Sequence, residues 1–532
     1  MAPVADPPVA DPGPPTCQMS VGEVVEDIGF GKAQVLMAVT GGAVFFNRGV
    51  QMCLMSILTL PIAADLDLTT TQQGSLSTVL FFGMFLGTLA SGWNGDGVGR
   101  RFPVVASSIA TVFIGCLSAT CTSFHGLFTA RLCLGFATAL GDVPATALLS
   151  EVTPKHWRIP MRAAAEGMFD LGYTYAAFLA SCWDPYLIEL NWQRLMVVTC
   201  IPPGILGLSA AAFLPESPVW LASRGDRAEA LRVFEGFRRL NGKPPRHIEL
   251  EVQETAKVPA GQLGFTGALG VVFGPRYLLT TCVLAYVGFA LNIFYYGGMY
   301  AQPQVMTQGY GLAPGWEIVF GGPADLIGIT VATALAQAAP RKTVLLFSIA
   351  AAACTISCFG YAGSFTTRTP LLEVVYQFGF FGFYWVPAVG FIVFGQLAVE
   401  SYPTLAATTG GSVIFSLGRV GAMAAPLLFE GVRGSSGRWE LFTYLTSVLC
   451  ALGGALLCWE ARACWPAEAD PAEAAPPLRR VPLASTEHGK GLPQVPRTPS
   501  LAALADSLSV RKPLQHRPGG QPGDAFDVQV HP

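Results

Sequence analysis

Gly92-Trp-Asn-Gly-Asp-Gly-Val-Gly-Arg-Arg101 lies between two apolar runs, each long enough to cross a bilayer. An acid, four glycines and two adjacent arginines cannot rest in hydrocarbon. The segment must therefore be a very short turn at a membrane face. Working outward, such runs repeat along the chain. Spans are expected at 34–63, 73–92, 103–122, 126–149, 163–183 and 195–214, and, after a polar stretch, at 278–300, 317–338, 343–362, 371–398, 411–429 and 440–460.

Composition agrees. Of 532 residues 52% are hydrophobic and only 13% charged, with a mean hydropathy of +0.46. A soluble protein of this length carries about a quarter charged residues. A net charge of −3 gives no nucleic-acid signal. The thirteen cysteines are scattered through apolar runs without a Cys-x-x-Cys pair, so no metal or disulfide framework is expected. No nucleotide loop or nucleophile triad is visible, and neither an enzyme nor a cofactor is expected.

Charge placement orients the bundle. Arg100, Arg101, Lys155, Arg158, Arg162, Arg341 and Lys342 share one side with the basic stretch Arg224–Arg246. The opposite loops carry Asp65, Asp67, Asp184 and Glu189, although Arg433 and Arg438 fit less well there. The positive-inside rule then puts the basic loops and both termini in the cytoplasm. The expected organisation is a disordered cytoplasmic N-terminus (1–30), a six-helix bundle (31–214), a cytoplasmic linker with short surface helices (215–277), a second six-helix bundle (278–463) and a disordered cytoplasmic tail (464–532). Within the linker, Ala228, Leu231 and Phe234 have helical spacing over 224–241.

The halves echo each other. Glu151-Val-Thr-Pro154 closes the fourth span and Glu400-Ser-Tyr-Pro403 the tenth, while Gly99-Arg100-Arg101 is echoed by Pro340-Arg341-Lys342. Two copies of a six-helix unit suit a carrier whose bundles rock about a site near the midplane.

With those residues in view, the Gly92–Arg101 turn resembles the loop after the second helix of the major facilitator superfamily. Val25-Glu-Asp-Ile-Gly-Phe-Gly-Lys32 resembles the entry sequence of synaptic-vesicle-two-related proteins. Pro215-Glu-Ser-Pro-Val-Trp-Leu221 is similar to the motif ending the sixth helix of sugar and organic-ion porters. Tyr295-Tyr296-Gly297 and Gly418-Arg419-Val420-Gly421 with Pro426 match the same group. The resemblance implies an all-α polytopic fold of twelve transmembrane helices in two pseudo-symmetric halves. It also implies a monomeric multi-pass carrier of a small organic solute, with a proton or another ion as coupling partner, in a plasma membrane or endomembrane. By the same resemblance, Asp96, Gly99, Arg100, Arg101, Glu151, Arg158, Arg341, Lys342 and Glu400 form the cytoplasmic gate that holds the halves together. The second copy is degraded: it lacks the acid, and Ala407 stands where the tenth-helix motif usually has Arg.

Charges at bilayer depth cost a few kcal/mol on insertion scales and mark functional sites. Arg48 is central in the first run, where related proteins carry acids around Arg48 and Gln51. Arg131 matches the fourth-helix Arg that in proton-coupled sugar porters pairs with a first-helix Asp, and that partner is missing. Either Asp142, Glu166 or Asp170 takes over, or proton coupling is lost. The setting of Arg419 resembles organic-anion carriers. Three guanidinium groups in one cavity match carboxylates, so an organic anion is expected, with Asn292, Tyr295, Tyr296, Gln377, Tyr384 and Trp385 completing the site. Asp325, after Gly-Gly-Pro, is a second-half candidate for a proton or cation. A sugar or organic-cation porter, or a non-transporting sensor on the same scaffold, remains open at this point.

Overall fold

The computed structural model describes residues 17–246, 248–250, 265–310, 313–365, 369–402 and 407–463, with the side chains of 92–97 and 399–400 among those left out. The expected tail and residues 1–16 lie outside the described residues, and so do the side chains of Asp96 and Glu400.

Twelve spans form two six-helix halves. The first half comprises Lys32–Ile57, Thr70–Val98, Arg101–Ser118, a fourth span of two helices (Phe124–Leu140 and Asp142–Glu151), Arg158–Trp183, and a sixth span of Trp192–Thr199 and Ile201–Phe213. The seventh span runs through Leu278–Asn292, a π-helical turn Ile293–Gly297, Gly298–Gln304 and a second π turn Val305–Tyr310. Pro314–Ala338, Arg341–Gly363, Pro370–Glu400, Ala407–Ser436 and Glu440–Ala463 complete the second half.

On length and hydropathy alone, ten segments of the described residues can cross a membrane. The first span qualifies only together with the helix Val21–Ile28, from which it is bent by 108°, and the fifth does not qualify. Both carry charge inside them: Arg48 in the first, and Arg162, Glu166 and Asp170 in the fifth.

Packing repeats between the halves. The first span lies on the fifth and the second on the fourth, as the seventh lies on the eleventh and the eighth on the tenth. Small residues permit the close crossings. A Cβ on Gly49 would fall 2.0 Å from the Phe169 carbonyl oxygen, and one on Gly172 2.1 Å from that of Phe46. In the second half, a Cβ on Gly421 would fall 2.3 Å from the Phe289 carbonyl oxygen.

The halves meet along the second and eleventh spans and along the fifth and eighth. The second span runs on to Val98, so the turn expected over Gly92–Arg101 contracts to Gly99 and Arg100. Toward the face opposite that turn, Thr78 donates to the Met423 carbonyl (2.9 Å), Ser56 to that of Met299, and the Gly315 N–H to Pro185 (3.0 Å).

One expectation is corrected at the entry. Residues 17–28 fold into a strand, Cys17–Met19, and the helix Val21–Ile28, started by a reciprocal Ser20–Glu23 capping box. The strand pairs in parallel with Ile248–Leu250 of the linker. The helix docks on the linker helix Arg227–Leu240, where Asp27 pairs with Arg238 and, at 3.4 Å, with Arg246. Asn241 completes the join, accepting the Ala33 N–H (2.8 Å) and donating to Gln34 (3.0 Å). Long-range partners, invisible in the local composition, order this segment.

Candidate functional site

Arg48 lies at the centre of the first half with two carboxylates. Its Nη1 donates to Asp142 Oδ2 at 3.1 Å and its Nη2 to Glu166 Oε2 at 3.2 Å. The rings of Phe45 and Phe169 lie 5.2 and 5.0 Å from its guanidinium carbon, so its flat faces are covered by aromatics. Asp142 opens the second helix of the fourth span, after Gly141 and two residues before Pro144. That break turns the Asp142 carboxylate toward the first span.

From the other half, Arg419 Nη2 reaches the same Asp142 oxygen at 3.7 Å, beyond hydrogen-bond length. Asn292, on the seventh span, packs against Gly418 and donates to the Gly288 carbonyl (2.7 Å). Tyr296 lies on the π turn of the seventh span and crosses the halves, its ring 5.0 Å from those of both Phe81 and Tyr295. Two consecutive tyrosines followed by Gly297-Gly298 thus produce a π turn rather than an unwound break.

A second cross-half contact lies beside the first. The carboxyls of Asp170, on the fifth span, and Asp325, on the eighth, face each other across the halves, and both residues are buried. Two carboxyl groups so placed can form a hydrogen bond only when one of them carries a proton. Tyr173, Tyr295 and Tyr384 stand within electrostatic reach of Asp325, and Tyr384 donates to Gln302 Oε1 at 3.2 Å.

Other expected site residues lie apart. Gln51 is buried against Gly115 of the third span. Gln377 donates to Glu373 (3.0 Å) and, with Trp385, lines a groove on the outer surface beside the exposed Val374, Phe378 and Phe381. The inward face of the tenth span is carried by Tyr376, Phe380 and Tyr384. Adjacent helical positions differ by about 100°, which separates Tyr384 from Trp385. Arg131 does not join Arg48. Eleven residues, about 16 Å of helical rise, separate it from Asp142, so the expected trio of guanidinium groups reduces to Arg48 and Arg419.

On the turn face, the first half is organised by Glu216. Its Oε1 accepts the N–H groups of Arg100 (2.7 Å), Arg101 (3.2 Å) and Ser217 (2.9 Å). The first two lie at the start of the third span, where an anion offsets unsatisfied amides. Gly99 has φ +110°, and a Cβ there would fall 2.4 Å from Glu216 Oε2. Arg100 reaches Glu151 at 3.5 Å, Ser217 donates to that same carboxylate, and Arg101 donates to the Ala211 carbonyl (2.7 Å). Arg158 instead donates to the Thr153 carbonyl (3.4 Å) and is exposed.

In the second half, Lys342 pairs with Glu460 at 2.8 Å and Thr280 donates to its other oxygen at 2.9 Å. Arg341 opens the ninth span after Pro340. Glu216 and Glu460 were not foreseen as partners. Each follows the last apolar residues of its half, and that parallel was the available signal.

Comparison with known proteins agrees with this architecture. Residues 40–426 match the Major Facilitator Superfamily. The chain is 25% identical to organic cation/carnitine transporter 7 of Arabidopsis thaliana over 78% of this chain and 89% of that protein. It is 24% identical to the synaptic vesicle 2-related protein of Pongo abelii over 82% and 80%. The partially occluded inward-open xylose transporter XylE of Escherichia coli superposes with a TM-score of 0.60 at 17% identity, covering 80% of this chain and 97% of that one. With twelve spans, two repeated halves and a charged centre between them, this chain belongs to the major facilitator superfamily and is a multi-pass membrane transporter of small solutes, not an enzyme.

Proposed function

We propose that the cargo is a small organic anion whose carboxylate is held by Arg419. One observation carries this reading: Arg419 stands 3.7 Å from an Asp142 oxygen that already accepts a hydrogen bond from Arg48. Its guanidinium is close enough to be neutralised but makes no direct bond there. A cargo carboxylate can accept two parallel N–H bonds from it, with Asn292 and Tyr296 beside it. Glu166 and Asp142 keep Arg48 in place as scaffold. The basic turn face is the cytoplasmic one, and the shared proton of Asp170 and Asp325 couples to the movement of the halves.

A second reading is favoured by the closure of Arg48 itself. With both its ends on carboxylates, the centre is nearly charge-balanced, which suits a neutral polyol held by Gln302, Asn292 and tyrosines. Uptake into proteoliposomes of an aromatic carboxylate, a hexose and a quaternary amine separates the two. The anion reading expects carboxylate uptake that falls at least about tenfold, roughly one charge-assisted bond, in Arg419→Ala. Hexose uptake with no carboxylate uptake, or unchanged carboxylate uptake in Arg419→Ala, overturns it.

A further inference from the structure

Arg131 is only 4% exposed, yet among the described residues no carboxylate pairs with it, and its Nε has no hydrogen-bond partner. It faces a small pocket lined by Met55, Thr59, Leu68, Gln73, Leu76 and Ser77, where the first span ends and the second begins. The acids nearest the pocket lining in the sequence do not serve it: Asp65 accepts from Trp192 Nε1 (2.9 Å) and Gln193 (3.3 Å), and Asp67 is exposed. Arginine cannot shed its proton, so its charge remains. A buried charge without a counter-charge is heavily penalised, and water can solvate it but not neutralise it.

Two properties of the lining specify the counter-charge. The first is size: the free space admits about one water-sized sphere. That is too small for the carboxylate end of an organic cargo, and a halide ion, slightly larger than water, enters once the flexible Met55 and Gln73 side chains give slightly. The second is polarity. Around the guanidinium, the Ser77 hydroxyl and the Gln73 amide N–H not spent on the Leu68 carbonyl remain as donors, while the Thr59 hydroxyl is used on the Met55 carbonyl. The pocket thus combines a fixed positive charge, neutral donors and no acid.

We propose that Arg131 binds a single halide ion, chloride being the common one, at a site separate from the Arg48–Arg419 centre. The ion supplies the negative charge that no side chain provides there. This inference does not depend on what the transporter carries.

The test uses the purified full-length protein in detergent, without organic cargo. Thermal unfolding is followed in sodium chloride, sodium bromide and sodium gluconate at equal ionic strength. Chloride and bromide should raise Tm over gluconate by on the order of 3 °C at concentrations well above Kd. Arg131→Gln should unfold at the same temperature in all three salts. Ser77→Asp supplies a fixed carboxylate to the guanidinium and should likewise lose the halide response, with its gluconate Tm at or above the wild-type value. If Arg131→Gln does not fold, Ser77→Asp decides. Equal Tm in chloride and gluconate for the wild type, or a full halide shift in either variant, overturns the proposal. Because no organic anion is present, either result leaves the role of Arg419 to its own test.

Discussion

The two halves supply the centre of the molecule differently. The first half brings Arg48, Asp142 and Glu166, which satisfy one another at 3.1 and 3.2 Å within a single bundle. The second half brings Arg419 and Asp325, and each finds its charged or acidic partner across the interface: Arg419 at Asp142, Asp325 at Asp170. Bonds inside one bundle survive a rocking motion, whereas bonds between bundles must change with it. On the proposed mechanism, the charges within the first half serve as scaffold and those meeting across the halves as moving parts. The turn face shows a related difference. Glu216 caps the backbone at Gly99–Arg101, but Pro340 has no N–H to offer, and Glu460 is held by the side chains of Lys342 and Thr280.

The sharpest way to break this division is to remove a scaffold charge. Asp142→Ala leaves Arg48 one carboxylate short and Arg419 with none, and should cost about 3–5 kcal/mol, as for a broken buried pair. Arg419→Ala should cost about 1 kcal/mol or less, since its link to Asp142 is long. Comparable losses of Tm in the two variants would erase the distinction.

The Asp170–Asp325 contact sharpens it next. Because a bond between these carboxyls needs a proton, raising the pH removes it and sets two negative charges face to face, loosening the fifth span from the eighth. Asp325→Asn keeps a neutral donor in place at every pH. Proteoliposome uptake by this variant should vary with pH less than about twofold, where the wild type varies by about tenfold, one proton's worth of linkage. Wild-type and variant profiles of the same shape would remove the pair from coupling.

The smallest effect is expected outside the bundle, at Asp27. The Arg238 guanidinium beside it holds its carboxyl below the ordinary value of 3.8. The sign follows: the pair's contribution is fully present above that ordinary value and is lost as pH falls through the lowered one. Hydrogen exchange of 21–28 should therefore be insensitive to this pair between neutrality and the ordinary carboxylate range. It should rise in Asp27→Asn by an amount corresponding to about 1 kcal/mol, the upper end for an ion pair with one partner near the surface. Unchanged protection in that variant would assign the docking to the apolar face of the helix.

The twelve spans were legible because hydrophobic length and the glycine-arginine turn are local signals. So were the candidates Arg48, Asp142, Glu166, Asp170, Asp325 and Arg419, because charge inside an apolar run stands out. Which of them touch was not legible. Arg48 and Arg131 read alike in sequence, yet among the described residues one has two carboxylates and the other none, since pairing depends on helix rotation and on the break at Gly141. Gln377, Tyr384 and Trp385 read alike too, yet the rotation of the tenth span sends Gln377 and Trp385 outward and Tyr384 inward. The ordered entry segment was hidden because its partners, Arg238, Asn241 and Ile248–Leu250, lie more than two hundred residues away.

The central claim is that Arg419 reads a carboxylate. It is tested most directly by equilibrium binding of benzoate and benzamide, equal in shape and different in charge, to the purified wild type and to Arg419→Ala. The account predicts that the wild type prefers the acid by at least about tenfold, the worth of one charge-assisted pair, and that this preference collapses toward unity in Arg419→Ala. An acid-over-amide preference that is absent from the wild type, or unchanged in the variant, would contradict it.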